Sequence, residues 1–151
     1  MTQSSSVKIG WIVMFIMGIY IAVLGLLWMF GTESLTVAGF APHAGQSWSD
    51  FAANNPKAAE MMLCNNELIG ALSVVIGLVF AMMAWNAYRK AEKWAWYTFL
   101  FAGMLGWAGG LGHEITLDSP SGIVLPMIGI ALLLIGLVIP ARAILGGKPA
   151  K

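Results

Sequence analysis

The stretch IGWIVMFIMGIYIAVLGLLWMF, residues 9–30, decides the fold class because it contains no Lys, Arg, Asp or Glu. A helix needs about 20 apolar residues to cross the roughly 30 Å hydrocarbon core of a bilayer, and this stretch is long enough. Its apolar run is about twice the length of a signal-peptide core, and it ends without a clear small-x-small cleavage motif. We therefore predict that it is a retained transmembrane helix.

Three similar stretches follow: Glu67–Trp85, with Glu67 at its outer rim, Trp94–Gly112 and Gly122–Ile139. Over the whole chain 59% of residues are hydrophobic and 10% are charged, against about 45–50% and about 25% in soluble domains. We predict an all-α, polytopic membrane protein with one domain, residues 1–151, built as a left-handed bundle of four transmembrane helices. The expected helices cover about 9–30, 56–88, 94–112 and 120–141, and the expected first outer loop is 31–55.

The distribution of charge predicts the orientation in the membrane. Seven of the eight basic residues fall in the N-terminal tail, the second loop and the C-terminal tail, whereas six of the seven acids lie elsewhere. Because basic residues accumulate on the cytoplasmic side, both termini and the second loop are expected there. The seven are Lys8, Arg89, Lys90, Lys93, Arg142, Lys148 and Lys151.

Two further expectations concern partners and location. The basic residues form no dense cluster along the sequence of the kind that binds anionic lipid or nucleic acid, so no nucleic-acid partner is expected. The lone Cys64 and the absence of an Asn-x-Ser/Thr sequon fit a prokaryotic inner membrane, where neither a disulfide framework nor glycosylation is required.

The connections between helices carry two similar start signals. In Asn55-Pro56 and in Ser119-Pro120, a residue that can cap a helix precedes a proline suited to the first turn. A second helix over 56–88 would be about 50 Å long, longer than the hydrocarbon core. Its first turns are therefore expected to stand above the membrane.

Small residues recur at intervals of seven in all four helices. A period of seven keeps one face toward a neighbour in a left-handed bundle, and small residues let transmembrane helices approach closely. Gly106-x-x-x-Gly110 adds a further close-contact motif. The recurring positions are Gly18, Gly25, Gly70, Gly77, Ala84, Gly103, Gly110, Gly122, Gly129, Gly136 and Ala143.

A candidate ligand site lies at the outer ends of the second and third helices. Glu67 shares a helix face with Gly70, and His113 shares one with Gly106 and Gly110. Both ionisable residues lie about 30 Å from the basic second loop, so they would converge if the two small faces pack together. Asn66 precedes Glu67 in the sequence, and Glu114 follows His113, so both could belong to the same site. The alternatives are that these groups are hydrated among the lipid headgroups, or that they form a purely structural pair.

The same region offers possible metal ligands, but their spacing does not match a metal site. Cys64, Glu67, His43, His113 and Glu114 have suitable chemistry, yet no pair shows Cys-x-x-Cys or His-x-x-x-His spacing. We expect no metal, no cofactor and no catalytic residue.

The layout resembles the DoxX-like group of small four-helix membrane proteins, which includes the EXPERA-type sterol-binding and sterol-isomerising proteins. The similar features are a polar start to the second helix, residues 65–70 (Asn-Asn-Glu-Leu-Ile-Gly), and a Gly-rich third helix that leads into Gly112-His113-Glu114. Ile69 stands where these families often carry a basic residue. The resemblance implies a pocket that opens among the outer helix ends.

Three functions are consistent with these features. In the first, the protein is non-enzymatic and binds a lipid or small apolar ligand near the outer helix ends. In the second, it is an accessory or assembly subunit that docks onto another membrane protein, or forms a homo-oligomer, through its glycine faces and outer segments. In the third, it is a membrane isomerase that uses Glu67 and His113 for acid–base transfer.

Overall fold

The computed structural model describes residues 4–117 and 122–146, and every secondary-structure element within these ranges is helical. This confirms the all-α prediction. The predicted helix start at Ser119-Pro120 lies outside the described residues. The elements are α1 (Ser5–Ala44), α2 (Trp48–Asn54), α3 (Pro56–Asn86), a 3-10 turn (Tyr88–Lys90), α4 (Lys93–Thr98), a π-helical segment (Phe99–Gly103), α5 (Met104–Thr116) and α6 (Val124–Leu145).

Three helical segments in the described chain are long and apolar enough to cross a membrane. They are α1, α3 together with its 3-10 turn, and α6. Their surfaces carry many exposed aliphatic side chains, such as Val138, which is 69% exposed. Exposed apolar side chains on long helices are typical of lipid-facing surfaces, and the chain is therefore an integral membrane protein.

The chain folds as two compact units. Unit 1 contains the described parts of Met1–Tyr20 and Leu78–Lys151, and unit 2 is Ile21–Gly77. The helices α1 and α3 each contribute to both units.

Within unit 1, the first part of α1, as far as Tyr20, packs antiparallel to α6. A Cβ atom added at Gly10 would lie 2.5 Å from Cγ of Pro140, and one added at Gly136 would lie 2.8 Å from Sδ of Met14. One of the predicted small positions, Gly136, therefore lies in a close helix–helix contact.

The predicted third helix contains a π-helical segment in the structure. Thr98, Phe99, Gly103 and Met104 all keep right-handed helical backbone angles, so α4, the π segment and α5 form one continuous helical run. This run follows α6 antiparallel. The contacts along it are Lys93 with Leu145, Trp96 with Leu137, Gly103 with Leu133, Trp107 with Gly129 and Gly110 with Pro126.

The core of unit 1 is centred on Tyr88 and Phe99, both fully buried. Phe99 makes edge-to-face contacts with Tyr88 and with Phe80, at centroid distances of 5.2 and 5.1 Å. The Tyr88 hydroxyl donates a hydrogen bond of 2.8 Å to the Gly136 carbonyl. This bond gives the one polar atom of the Tyr88 side chain a partner in the core.

Within unit 2, α1 and α3 form a helical hairpin whose backbones touch at two glycines. A Cβ atom added at Gly25 would lie 2.6 Å from the Val74 nitrogen, and one added at Gly70 would lie 2.6 Å from the Met29 nitrogen. Neither position has room for a side chain. The sequence period therefore located this contact correctly.

The predicted outer loop 31–55 is wrong, because most of it is helical. The helix α1 continues beyond Phe30 to Ala44 and ends at Gly45, whose φ of +64° suits a residue without a side chain. The Gly- and Ser-rich composition suggested a loop, but this part of α1 packs against α3. Thr32 and Thr36 are buried in that contact.

The short helix α2 closes the hairpin. The Ser47 hydroxyl accepts a hydrogen bond from the Asp50 amide and donates one to the Asp50 carboxylate, which caps the helix. Trp48 and Phe51 pack on Phe40 of α1 at centroid distances of 5.1 and 4.9 Å. This aromatic cluster joins α2 to α1.

The close-contact motif predicted at Gly106-x-x-x-Gly110 does not form in the described structure. A Cβ atom added at Gly106 would have no atom of another described element within 4 Å. A Cβ atom added at Gly110 would lie 3.8 Å from Cβ of Pro126, which is an ordinary van der Waals distance. The bulky Trp107 packs on Gly129 instead, so the contact with α6 uses a small residue of α6.

Candidate functional site

Asn66 lies in the contact between α1 and α3 of unit 2. Its side-chain amide donates a hydrogen bond of 2.9 Å to the hydroxyl of Thr36. Thr32, one turn earlier, is 3% exposed and donates to the Trp28 carbonyl of its own helix. This part of the contact is therefore polar but uncharged.

Glu67 lies beside this contact rather than in it. Gly70 is buried against α1, and Asn66, four residues earlier, is half-buried, whereas Glu67 is exposed. The sequence placed Glu67 on the same face as Gly70 through i+3 spacing. In the structure it is the i+4 neighbour, Asn66, that turns toward α1.

His113 and Glu114 lie near the end of α5 in unit 1. His113 is exposed and Glu114 is half-buried. Gly109 and Gly112, on the same helix, have no described atom of another element within 4 Å of an added Cβ. Since Glu67 belongs to unit 2 and His113 to unit 1, their convergence stays a prediction.

The possible metal ligands do not assemble within the described residues. No group of three or more His, Cys, Asp or Glu side chains in residues 4–117 and 122–146 could hold a metal ion. Cys64 is a free, exposed thiol.

The structure shows a second cluster, which the sequence did not predict. In unit 1, Trp11 of α1 packs edge-to-face on Trp85 of α3 at 5.5 Å, and Phe15 lies 6.1 Å from the same ring. The Arg89 guanidinium lies over the Trp85 ring, with Cζ 4.6 Å from the ring centre. We call these four residues the aromatic–basic cluster.

Part of this cluster could have been found in the sequence. Trp85 and Arg89 are four residues apart, a spacing that brings side chains together on a helix. The contact with Trp11 could not have been found, because hydropathy does not reveal which spans are neighbours.

Three of the described basic residues of unit 1, Lys8, Lys93 and Arg142, lie at the same end of that unit. Lys93 donates a hydrogen bond of 3.2 Å to the Leu145 carbonyl at the end of α6. Arg142 is in the same last turn of α6, two residues beyond the Pro140 contact with Gly10. Lys8 is two residues before Gly10, in the same direction along the antiparallel pair. Residues that are scattered along the sequence are thus brought to a common level.

Comparisons of the chain with protein-family models, with curated proteins and with solved structures gave no match. The resemblance to the DoxX-like group stays a prediction.

Proposed function

We propose that the protein is a four-span component of a prokaryotic inner membrane, with both termini in the cytoplasm. The fourth span is residues 93–116, the continuous run of α4, the π segment and α5. Its antiparallel contacts with α6 extend from Lys93 to Gly110, and α6 is itself long enough to span. The meeting of Lys8, Lys93 and Arg142 at one end of unit 1 supports placing that end in the cytoplasm.

The function that the structure supports best is that of an accessory subunit, which docks onto another membrane protein through the helical hairpin on the outer side. The observation that carries this proposal is the length of α1. Its 40 residues correspond to about 60 Å, roughly twice the hydrocarbon thickness. Residues 9–30 alone are long enough to cross the hydrocarbon, so we place the residues after about Phe30 outside it.

The projecting segment, residues 31–66, is built as a defined surface rather than as a linker. Asn66 of α3 donates a hydrogen bond to Thr36 of α1, which joins these two helices. Phe40 of α1 packs on Trp48, which joins α1 to α2. The segment carries partly exposed apolar side chains: Leu35 is 39%, Val37 44% and Met61 61% exposed. Apolar side chains on a rigid surface outside the membrane favour protein contact.

Site-specific photo-crosslinking in living cells tests this role. A photoreactive amino acid at Val37 or Met61 should give a discrete adduct with one membrane protein. The matched control is Val138, which is 69% exposed on α6 and should give no such adduct because it faces lipid. The charge-introducing variant Val37→Glu should abolish the adduct formed from a photoreactive amino acid at Met61. It should also abolish co-purification of the partner, while the protein still accumulates in the membrane.

Two results would contradict docking through the hairpin. One is adducts of equal yield from Val37 and Val138. The other is undiminished co-purification of the partner with a folded Val37→Glu, Met61→Glu double variant.

A second candidate is the binding of a lipid or small apolar ligand near Glu67 and His113. The observation that favours it is that both side chains are exposed and thus accessible to a ligand. Glu67→Gln combined with His113→Ala should then lower ligand occupancy, measured by native mass spectrometry, without changing thermal stability. An isomerase-type reaction would use the same two groups and would be lost in the same variant. Unchanged occupancy and activity in a folded double variant would exclude both roles.

A further inference from the structure

Two neighbouring carbonyls of α6 accept hydrogen bonds from side chains outside that helix. The Tyr88 hydroxyl donates to the Gly136 carbonyl at 2.8 Å, and the Trp96 indole donates to the Leu137 carbonyl at 3.0 Å. Tyr88 lies in the 3-10 turn and Trp96 in α4. Inside an α-helix a carbonyl ordinarily accepts from the amide four residues later. The two carbonyls differ in whether that amide exists.

The Gly136 carbonyl has no such amide, because residue 140 is a proline and proline has no N–H. Gly136 and Pro140 are both buried within unit 1, where an unpaired carbonyl is costly. The Leu137 carbonyl is different, since the amide of Ala141 follows it at the regular spacing. The Tyr88 hydroxyl therefore takes the place of a missing backbone donor, whereas the Trp96 indole is an additional one.

The surroundings of Tyr88 hold its hydroxyl at this carbonyl. The side chain is fully buried and contacts the Phe99 ring edge-to-face. The turn that carries it closes at Ala91, whose φ is +59° and whose amide donates to the Tyr88 carbonyl at 2.9 Å. The bond from Tyr88 thus links the turn after α3 to the point where α6 lacks a backbone hydrogen bond.

Helices bend most readily at a proline, where one backbone hydrogen bond is missing. The last turn of α6, residues 141–145, lies beyond this point. Its end is joined to α4 by the exposed hydrogen bond from Lys93 to the Leu145 carbonyl. We propose that residues 136–140 form a hinge in α6, which the Tyr88 hydroxyl keeps closed. When this bond breaks, residues 141–145 open while the rest of α6 stays packed. The hinge does not depend on docking through the hairpin, because all its residues lie in unit 1.

Hydrogen exchange followed by mass spectrometry, on the full-length protein in lipid nanodiscs, tests the proposal. Tyr88→Phe removes the hydroxyl and keeps the ring. It should raise the exchange rate of the amides of residues 141–145 about 10-fold, because the buried Gly136 carbonyl loses its donor. The amides of residues 48–66, in unit 2, should exchange as in the wild type. An unchanged rate at 141–145, or an equal increase in both segments, would overturn the proposal.

Trp96→Phe is the matched control, because it removes a side-chain donor from the neighbouring carbonyl. The amide of Ala141 can still donate to the Leu137 carbonyl, so the exchange rate at residues 141–145 should rise less than about threefold. Equal increases for Tyr88→Phe and Trp96→Phe would contradict a special role of the carbonyl that Pro140 leaves without an amide.

The variant Pro140→Ala gives residue 140 an amide that can donate to the Gly136 carbonyl within the helix. In this background Tyr88→Phe should raise the exchange rate at residues 141–145 less than about threefold. The packing of the proline ring against Gly10 is lost both with and without the Tyr88 hydroxyl, so its effect cancels in the comparison. An increase of about 10-fold in both backgrounds would overturn the proposal.

Accumulation in the membrane replaces hydrogen exchange as the measurement if Tyr88→Phe alone does not fold. The double variant Tyr88→Phe, Pro140→Ala should then accumulate to the level of Pro140→Ala, because the backbone again supplies the donor. A double variant that is still degraded would contradict the proposal. If Pro140→Ala itself does not fold, the comparison of Tyr88→Phe with Trp96→Phe decides.

Discussion

At the scale of single residues, Gly25 makes one of the two close glycine contacts between the backbones of α1 and α3 in unit 2. Its added Cβ would meet the Val74 nitrogen and the Gly70 oxygen at 2.6 and 2.7 Å, and backbone atoms cannot move aside as a flexible side chain can. Gly25→Ala should therefore lower the free energy of unfolding by about 1–3 kcal/mol. Equilibrium unfolding in detergent measures this change.

The control for this prediction is on the same helix. Gly39 has no described atom within 4 Å of its added Cβ, so Gly39→Ala should be neutral or should stabilise the protein by about 0.5–1 kcal/mol through its better helix propensity. Similar changes in stability for the two variants would contradict the role given to the contact of Gly25 with α3, because Gly39 makes no such contact.

At the scale of elements, the π-helical segment carries one residue more than a regular turn. Deletion of the exposed Ala102 should let this segment close into an α-helix and leave α5 in register with α6. Deletion of the exposed Ala108 from the regular part of α5 should rotate the following residues by about 100°, moving Gly110 away from Pro126.

Thermal unfolding of the two deletion variants distinguishes these cases. The Ala102 deletion should stay close to the wild-type stability, whereas the Ala108 deletion should lose about 1–3 kcal/mol or more. An Ala102 deletion as damaging as the Ala108 deletion would mean that the packing of Phe99 and Gly103 requires the wider turn.

The elements also show what the sequence could and could not predict. The long apolar helices follow from hydropathy, because a backbone in lipid must satisfy its own hydrogen bonds. The extension of α1 from Phe30 to Ala44 does not, because its stabilising contacts come from residues distant in sequence, such as Asn66 with Thr36.

The candidate site shows a similar division. The i+3 and i+4 spacings around Gly70 left two residues that could turn toward α1, and only the contact itself shows that Asn66 does so and Glu67 does not. The π segment was not predictable either. Its residues, Phe99–Gly103, are as apolar as those of a regular transmembrane helix.

At the scale of the whole molecule, the proposed topology can be tested with the native cysteine. Cys64 is exposed and precedes the predicted outer boundary at Glu67. A membrane-impermeant maleimide should label it in intact spheroplasts. Lys90→Cys, introduced in a Cys64→Ser background, should be labelled only after the membrane is permeabilised, because the proposed topology places this turn in the cytoplasm.

Labelling of the Lys90→Cys protein in intact spheroplasts would show that the orientation in the membrane is opposite to the one we propose. It would also place the aromatic–basic cluster in the opposite leaflet.

The packing of α1 against α6 has a consequence for synthesis of the chain. Gly10 and Met14 lie against Pro140 and Gly136, so α1, which leaves the ribosome before α6, meets this partner only after α6 has been inserted. Until then, that face of α1 must be covered by lipid or by a chaperone. A chain truncated before α6 would keep the face uncovered, and we expect it to be removed by proteolysis rather than to accumulate as a smaller bundle.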